Sequence, residues 1–449
     1  MRPAIARLRV LLCSLVLAYA GAARAQNYQI IDQQLDPSRH GYTVMHVWGT
    51  HADMGRAMGV ALAADIVEGI GEIRAFAGTN YAALRTALAG SSWPPAGIED
   101  EISGIVAGVK SVDAGADIDA IDVKVLNTYS DWGYACRSHT CWGSRVTAPV
   151  RTLATRRLDF GTPFPAVLHH VLCAWEPSDG SVRWVNLAWP GYVTVVTGVN
   201  EHGTLVSLHD FNSTVAYSAG VVPRSVATRT VLSDVGQTTI DGQLAWAAAE
   251  LGAVRVATGT FLNFYVPEGH GGVFTCPAGA GCGSPRTPQG DYLGGEVLIT
   301  ANSQTDGHSV PAGAEFLTPY YADPTPKTIA DHFEVMGHDG LHLLSVAFRG
   351  RGDMLLWAEG RQPVGTTPRI EIEWSALFAA PTQPDGGPDA ATDAAAGAGG
   401  GGGGPGSSGA ASGTLQPSGC GCSLPRAVAP GSAVALLAAA FALLRRRRR

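Results

Sequence analysis

The sequence predicts an α+β domain in which antiparallel sheets stack on each other and helices lie outside them. Three observations predict this class. Apolar residues recur at helical spacing in the first third of the chain, short strand-like segments dominate after residue 141, and two helical segments interrupt those strands. Strands, then helices, then strands again favour sheets covered by helices. The pattern alone also allows another α+β layering.

The first third of the chain carries the helical spacing. Between residues 54 and 76 an apolar residue recurs every three or four positions, which places these residues on one helical face: Met54, Met58, Leu62, Ile66, Ile70, Ile73 and Phe76. A second helix is predicted on Ile98, Ile102, Ile105, Val109 and Val112. We therefore expect residues 26–140 to form a mostly helical leader without catalytic residues of its own.

The strand-like segments fill the rest of the globular part. Pro, Gly and Asp turns separate short runs with strand composition. Strands are predicted at 146–158, 166–175, 181–189, 192–198, 204–209, 296–301, 343–348, 353–357 and 369–374, with helices at 223–234 and 241–251.

The start of the chain predicts export. Basic Arg2, Arg7 and Arg9 precede an apolar stretch, and Ala23-Arg24-Ala25 is a small-x-small cleavage site. The apolar stretch is too short to span a bilayer. Residues 1–25 are therefore predicted to be a signal peptide, with a retained anchor as the alternative.

The end of the chain predicts a tether. Residues 381–418 are mostly Gly, Ala, Pro, Ser and Asp, a composition typical of a flexible linker. Residues 419–449 hold a Gly-Cys-Gly-Cys motif, an apolar segment and five terminal arginines. This tail resembles the myxobacterial carboxy-terminal sorting segment (MYXO-CTERM). The resemblance implies a sorting protease that acts at the Gly-Cys motif and display on the cell surface or outer membrane; an unprocessed membrane tail is the alternative.

Composition excludes some partners and indicates a buried core. Apolar residues make up 46% and charged residues 15% of the chain, as expected of a globular domain. A net charge of -7 without a basic stripe predicts no nucleic-acid partner. The histidines lack the companions of a metal site, so we expect no metal and no cofactor.

The cysteines leave an odd thiol in the core. Cys276 and Cys282 flank a Gly-rich turn and are predicted to bridge. If Cys136 pairs with Cys173, then Cys141 remains free in an oxidising compartment. The alternative is a Cys136–Cys141 disulfide with Cys173 as a buried free thiol.

A cysteine followed by an Arg-x-x-Asp run is the strongest catalytic signal. Cys141 precedes Arg156-Arg157-Leu158-Asp159, with fifteen residues from Cys141 to Arg156. This arrangement resembles the cysteine N-terminal-nucleophile (Ntn) amidases, in particular the acid ceramidase, choloylglycine hydrolase and penicillin acyltransferase families. The resemblance implies a four-layer αββα sandwich, a cut between Thr140 and Cys141, and a catalytic domain at residues 141–380.

Further residues extend the resemblance. Asn302, at the end of the segment 297–302, is similar to an oxyanion asparagine of these families. Asp210 falls on a functional acidic residue of acid ceramidase, and His209 on an oxyanion asparagine of choloylglycine hydrolase. Each residue also has an ordinary structural interpretation, as a turn residue for Asn302 and Asp210, a strand-end cap for Asp159 and a solvated turn for Arg156-Arg157.

The chemistry implied by the resemblance needs a thiolate and a base. A cysteine at a new N-terminus carries its own base, because its α-amino group titrates near pH 8. In this hypothesis Cys141 attacks an acyl carbonyl, Asn302 donates to the oxyanion, Asp159 binds the amine and Arg156 supports the sulfur electrostatically.

The sequence thus predicts an exported, self-processing cysteine amidohydrolase or acyltransferase. Its substrate would be a small molecule with a non-peptide acyl amide bond and an apolar acyl group, with Trp142 and Trp189 as pocket walls. The alternative is a non-catalytic surface-displayed binding or structural domain. Arg157 in place of the family's Asn, and Thr140 where many relatives have Gly, favour that alternative.

Overall fold

The computed structural model describes residues 27–379 except 96, 133–134, 160–164, 234–238, 289–294, 303–310, 338–339 and 361–368. The signal peptide, the linker and the sorting tail, predicted at 1–25, 381–418 and 419–449, lie outside the described residues. Among the helices that are described, none is both long and apolar enough to cross a membrane.

Sixteen strands are described, and fourteen of them form two large sheets. Their bounds are β1 Tyr28–Leu35, β2 Gly41–Gly49, β3 Ala135–Trp142, β4 Thr152–Asp159, β5 His169–Pro177, β6 Trp184–Ala188, β7 Thr197–Asn200, β8 Leu205–Thr214, β9 Val221–Val222, β10 Arg255–Val256, β11 Thr258–Tyr265, β12 Gly272–Cys276, β13 Val297–Ala301, β14 His342–Gly350, β15 Asp353–Gly360 and β16 Ile370–Glu373. The first sheet has the order β1-β2-β5-β6-β7-β8-β11-β12, and the second has the order β13-β3-β4-β14-β15-β16. Strands β9 and β10 form a short parallel pair.

The two sheets face each other across an apolar core. Residues such as Val44, Leu172 and Val185 from the first sheet pack with Leu344, Leu356 and others from the second. Because side chains alternate along a strand, each sheet also has an outer face that must be covered.

Helices cover both outer faces. Their bounds are α1 His51–Ala61, α2 Ala63–Ala77, α3 Tyr81–Leu88, α4 Ile98–Val112, α5 Ala120–Asn127, α6 Arg224–Ser233, α7 Ile240–Ala253, α8 Leu317–Ala322, α9 Ile329–Glu334 and α10 Trp374–Leu377. Helices α1 to α7 share one large core cluster with strands of the first sheet. Helices α8 and α9 pack on the outer face of the second sheet. The predicted αββα sandwich is therefore confirmed.

The leader segment is part of this sandwich. Its strands β1 and β2 extend the first sheet, where β2 pairs in parallel with β5. Its helices α1 and α4 approach closely through glycines: a Cβ on Gly55 would lie 2.0 Å from the Glu101 carbonyl oxygen. The predicted boundary between residues 140 and 141 falls inside β3.

Candidate functional site

Strands β3 and β4 decide which side chains meet between the sheets. They pair antiparallel, with Ser138 opposite Arg156 and Cys136 opposite Leu158. The Ser138 hydroxyl lies 2.8 Å from His209 Nε2 on β8, so this face of β3 looks toward the first sheet. Because side chains alternate, Cys136 shares this inner face, whereas Cys141 points to the outer face.

The inner face brings Arg156 to the sulfur of Cys136. Arg156 Nη2 donates to Cys136 Sγ at 3.0 Å and to the Leu208 carbonyl oxygen at 3.1 Å. Arg156 Nη1 lies 3.0 Å from His342 Nε2. Cys136 is 2% exposed and Arg156 is fully buried. The guanidinium is thus fixed at three points, one of which is a cysteine sulfur.

Burial and the charge of Arg156 shift the pKa of the Cys136 thiol in opposite directions. Burial raises the pKa of Cys136 to about 12, while the charge of Arg156 acts to lower it and the carboxylates of Asp210 and Asp159 act to raise it. Burial outweighs the charge of Arg156, so the protonated thiol of Cys136 is favoured in the uncut chain, and Arg156 reduces the free energy needed to form the thiolate.

Asp159 ends β4 close to the start of β3. In the strand register it lies opposite Ala135, the residue before Cys136. Its carboxylate pairs with Arg157 Nε at 2.8 Å and with Arg137 at 3.8 Å. Arg157, which stands where the resembled families have Asn, also donates to the Met336 carbonyl oxygen.

Asn302 and Asp210 meet at the same end of the sandwich. Ala301 pairs with Arg137, so the next residue of that chain, Asn302, is level with Cys136. Its Oδ1 accepts the Asp210 backbone N–H at 3.1 Å. The Asp210 carboxylate pairs with Arg224 at 2.5 Å. The predicted Arg156, Asn302 and Asp210 therefore meet near Cys136, whereas the Asp159 carboxylate pairs with Arg137 and Arg157, whose side chains belong to the outer face.

Cys141 lies elsewhere, and its predicted place beside Arg156 and Asp159 is wrong. It is buried under α8 and α9, where its Sγ lies 3.1 Å from His332 Nε2. His332 in turn stacks on His139 with ring centroids 4.1 Å apart. The reason is strand alternation: five positions separate Cys141 from Cys136, which reverses the face.

Thr140 and Trp142 both lie away from Cys136. Thr140 donates to the Leu153 carbonyl oxygen at 2.8 Å, far along β3 from Cys136. Trp142 lies at the opposite end of β3 and packs near Gly269. Six residues of strand span roughly 20 Å, so Trp142 is not a wall beside Cys136.

His209 and Trp189 lie near the inner-face cluster. His209 Nε2 lies 2.8 Å from the Ser138 hydroxyl and 2.7 Å from Asn263 Nδ2, and burial holds its pKa well below the usual value. The Trp189 ring is 6.1 Å from that of His342. Trp189 also lines an apolar cavity with Ile73, Leu126, Tyr129 and Tyr192.

The disulfide prediction is confirmed where it was definite. Cys276 and Cys282 form a disulfide. Cys136, Cys141 and Cys173 are all free and buried, so neither alternative pairing is present. The disulfide expected of the non-catalytic alternative is therefore not found.

Sequence analysis missed the residue at the centre of the cluster. Cys136 was considered only as a disulfide partner, and His342 and Arg224 were not considered as site residues. The alternation of side chains along strands could have identified it. Cys136, Ser138 and Arg156 lie on the same face of the hairpin that β3 and β4 form, once the long turn between these strands is recognised.

The fold is a four-layer αββα sandwich, with Cys136, Arg156, Asp210 and Asn302 at one end of the space between its sheets. No protein-family model and no curated protein matches the chain. Among solved structures, a Caenorhabditis elegans N-acylethanolamine-hydrolyzing acid amidase ortholog is similar, with 12% identity and a TM-score of 0.34. The similarity covers 47% of this chain and 92% of that one.

Proposed function

We propose that this protein is a self-processing cysteine amidohydrolase or acyltransferase whose nucleophile is Cys136. The observation that carries the proposal is the 3.0 Å contact between Arg156 Nη2 and Cys136 Sγ. Asn302 and Asp210, which meet level with Cys136, support it, and the charge of Asp159 also reaches the sulfur. In this proposal the leader ends at Ala135 and the catalytic chain begins at Cys136.

Self-cleavage would free the base that the thiol needs. The Cys136 sulfur attacks the Ala135 carbonyl carbon, the carbon–nitrogen bond breaks, and the thiol proton passes to the departing nitrogen. The resulting thioester is hydrolysed by water, which leaves a carboxylate on Ala135 and restores the thiol. Cys136 then carries a free α-amine next to its sulfur.

Turnover would repeat the same chemistry on a substrate. The α-amine accepts the thiol proton, the thiolate attacks the acyl carbonyl, and the proton passes to the leaving amine as the amide bond breaks. Water then cleaves the acyl thioester to a carboxylic acid, or an amine takes the acyl group in a transfer reaction. Arg156 favours the thiolate in both reactions.

Asn302 would stabilise the oxyanion. Its Oδ1 accepts the Asp210 N–H, so the amide group is oriented and its Nδ2 is the end that donates. A preorganised donor of this kind contributes roughly 3 kcal/mol to transition-state stabilisation.

The substrate would be an acyl amide with an apolar acyl group. The sequence resemblance supports this, whereas the cavity beside Trp189 has a volume of about 20 Å³, room for about one water molecule, and is lined by Asp65 and Glu72 as well as by apolar and aromatic side chains. Trp189 connects it to the cluster through His342 and Arg156.

Export and surface tethering complete the proposal. They rest on the signal peptide, the linker and the tail predicted from the sequence, together with a sorting protease as partner. Fractionation of cells that express the full chain, followed by detection of the globular part, tests this location.

A pair of cysteine variants tests the nucleophile. Cys136→Ala should abolish both self-cleavage and turnover of an N-acyl amide with a fluorogenic amine. Cys141→Ala is the matched control, because Cys141 is on the same strand and equally buried but on the outer face. It should retain cleavage and turnover.

The opposite pattern of results, with Cys141→Ala inactive and Cys136→Ala active, would overturn the proposed nucleophile. Unprocessed wild-type protein without turnover would favour the non-catalytic binding domain. Intact mass of each purified variant measures the cleavage directly.

A further inference from the structure

We infer that Arg224 is a positioning residue for self-cleavage. It links the end of the leader to Asp210, and through the Asp210 backbone to Asn302. This inference rests on the proposed function, because it concerns the bond before Cys136. Arg224 begins α6 and is fully buried.

On one side Arg224 holds the leader just before Cys136. Its Nε donates to the Ser130 carbonyl oxygen at 2.7 Å, and its Nη2 donates to the same oxygen. Its backbone N–H donates to Asp131 Oδ1 at 3.2 Å. The Tyr217 hydroxyl donates to Asp131 Oδ2 at 2.5 Å. Ser130 and Asp131 are therefore fixed by side-chain and backbone contacts.

Arg224 also contacts Asp210, which lies near Cys136. Its Nη1 lies 2.5 Å from Asp210 Oδ1. The Asp210 backbone N–H donates to Asn302 Oδ1 at 3.1 Å. One guanidinium thus links the leader, an acidic residue of the site and the oxyanion asparagine.

The link through Arg224 affects self-cleavage because the attacking sulfur and the bond that it cleaves belong to the same chain. The sulfur of Cys136 must reach the Ala135 carbonyl, and only four residues lie between Asp131 and Cys136. Fixing Asp131 at one end and β3 at the other limits where that carbonyl can lie. Intramolecular reactions are sensitive to such placement, since an error near 1 Å can cost on the order of a hundredfold in rate.

Arg229 provides a matched control on the same helix. It is also fully buried and also pairs with a carboxylate of the leader, Glu101, at 2.8 Å. Its other hydrogen bonds go to the Val193 carbonyl oxygen and to Ser233. Arg224 and Arg229 therefore share burial and leader pairing, but only Arg224 contacts Asp210.

The test compares Arg224→Lys with Arg229→Lys in the full chain. We measure the rate of self-cleavage after synthesis, the turnover per cut chain, and the midpoint of thermal unfolding. Arg224→Lys should slow cleavage by on the order of tenfold or more and lower kcat with little change in KM. Arg229→Lys should cleave within about threefold of the wild-type rate at a similar loss of thermal stability.

Equal slowing in both variants, or wild-type cleavage in Arg224→Lys, would overturn the inference while leaving Cys136 as the nucleophile. If the wild type does not cleave before Cys136, the proposed function itself fails. Should Arg224→Lys not fold, Asp131→Asn decides: it removes the leader's charge without changing its volume, and an unchanged cleavage rate contradicts the inference.

Discussion

Arg156 and Cys136 lie on neighbouring strands and on the same inner face, with guanidinium Nη2 3.0 Å from the thiol sulfur. A fully buried guanidinium is costly to desolvate, so its place is best explained by what it stabilises. Its partners include the ring of His342, whose pKa burial lowers well below the usual value, the Leu208 carbonyl oxygen and the Cys136 sulfur. The contact with the Cys136 sulfur is the observation on which the proposed nucleophile depends.

Removing the Asn302 amide should lower turnover and leave the fold intact. We expect Asn302→Ala to reduce kcat by roughly two to three orders of magnitude, because one preorganised oxyanion donor is lost. Steady-state kinetics of cut protein measure the effect, and circular dichroism checks the fold. Turnover equal to that of the wild type would remove Asn302 from the site.

Replacing Arg156 should move the pH dependence of turnover upward. The charge of Arg156 acts to lower the pKa of the Cys136 thiol, so Arg156→Gln should require a higher pH for the same rate. We expect a shift on the order of one pH unit in the acidic limb of kcat/KM. Arg145→Gln is the control, since Arg145 acts on Cys141 instead; an equal shift in both variants contradicts the assignment.

His139 should make the fold less stable in acid. Burial lowers its pKa to about 3, below the value near 6.5 of an unfolded chain. The unfolded state therefore binds a proton below pH 6.5 that the folded state refuses, and stability falls as the pH falls. From pH 7 to pH 5 this contribution is roughly 2 kcal/mol. In urea titrations His139→Gln should lose less stability than the wild type over this range; parallel losses would contradict the prediction.

Asp131 should make the fold less stable as the pH rises, the opposite of the effect of His139. Burial raises its pKa to about 6, above the 3.8 of the free carboxyl group. The folded state then holds a proton between pH 4 and 6 that the unfolded state releases, so stability falls as the pH rises through this window. Asp131→Asn should remove a change on the order of 2 kcal/mol. Urea midpoints at pH 4 and pH 7 measure it, and an unchanged difference between them would refute the shift.

Much of the fold could be predicted because its elements carry clear periodicity. Helices predicted at 223–234 and 241–251 are observed at Arg224–Ser233 and Ile240–Ala253. The strands β13 to β16 also match their predicted segments. Helix α5 was missed because it is buried on nearly every side: Asp122, Lys124 and Asn127 are all buried, so it shows no amphipathic pattern.

The cysteine that contacts Arg156 could not be predicted from spacing. Residues 143–151 connect β3 to β4, and this long connection separates the partner residues Cys136 and Arg156 by twenty positions in sequence. The fifteen-residue spacing expected from the family resemblance pointed to Cys141 instead. Strand β3 also escaped prediction, because its inner face is polar where it lines the site. Side chains alternate between the two faces of paired strands, and this alternation, rather than the distance along the chain, determines which cysteine contacts Arg156.

The amino-terminal sequence of the large fragment of purified wild-type protein tests the central claim most directly. The account predicts that this fragment begins Cys136-Arg137-Ser138. A fragment beginning at Cys141, or a chain that stays uncut in protein that turns over an acyl amide, would contradict it.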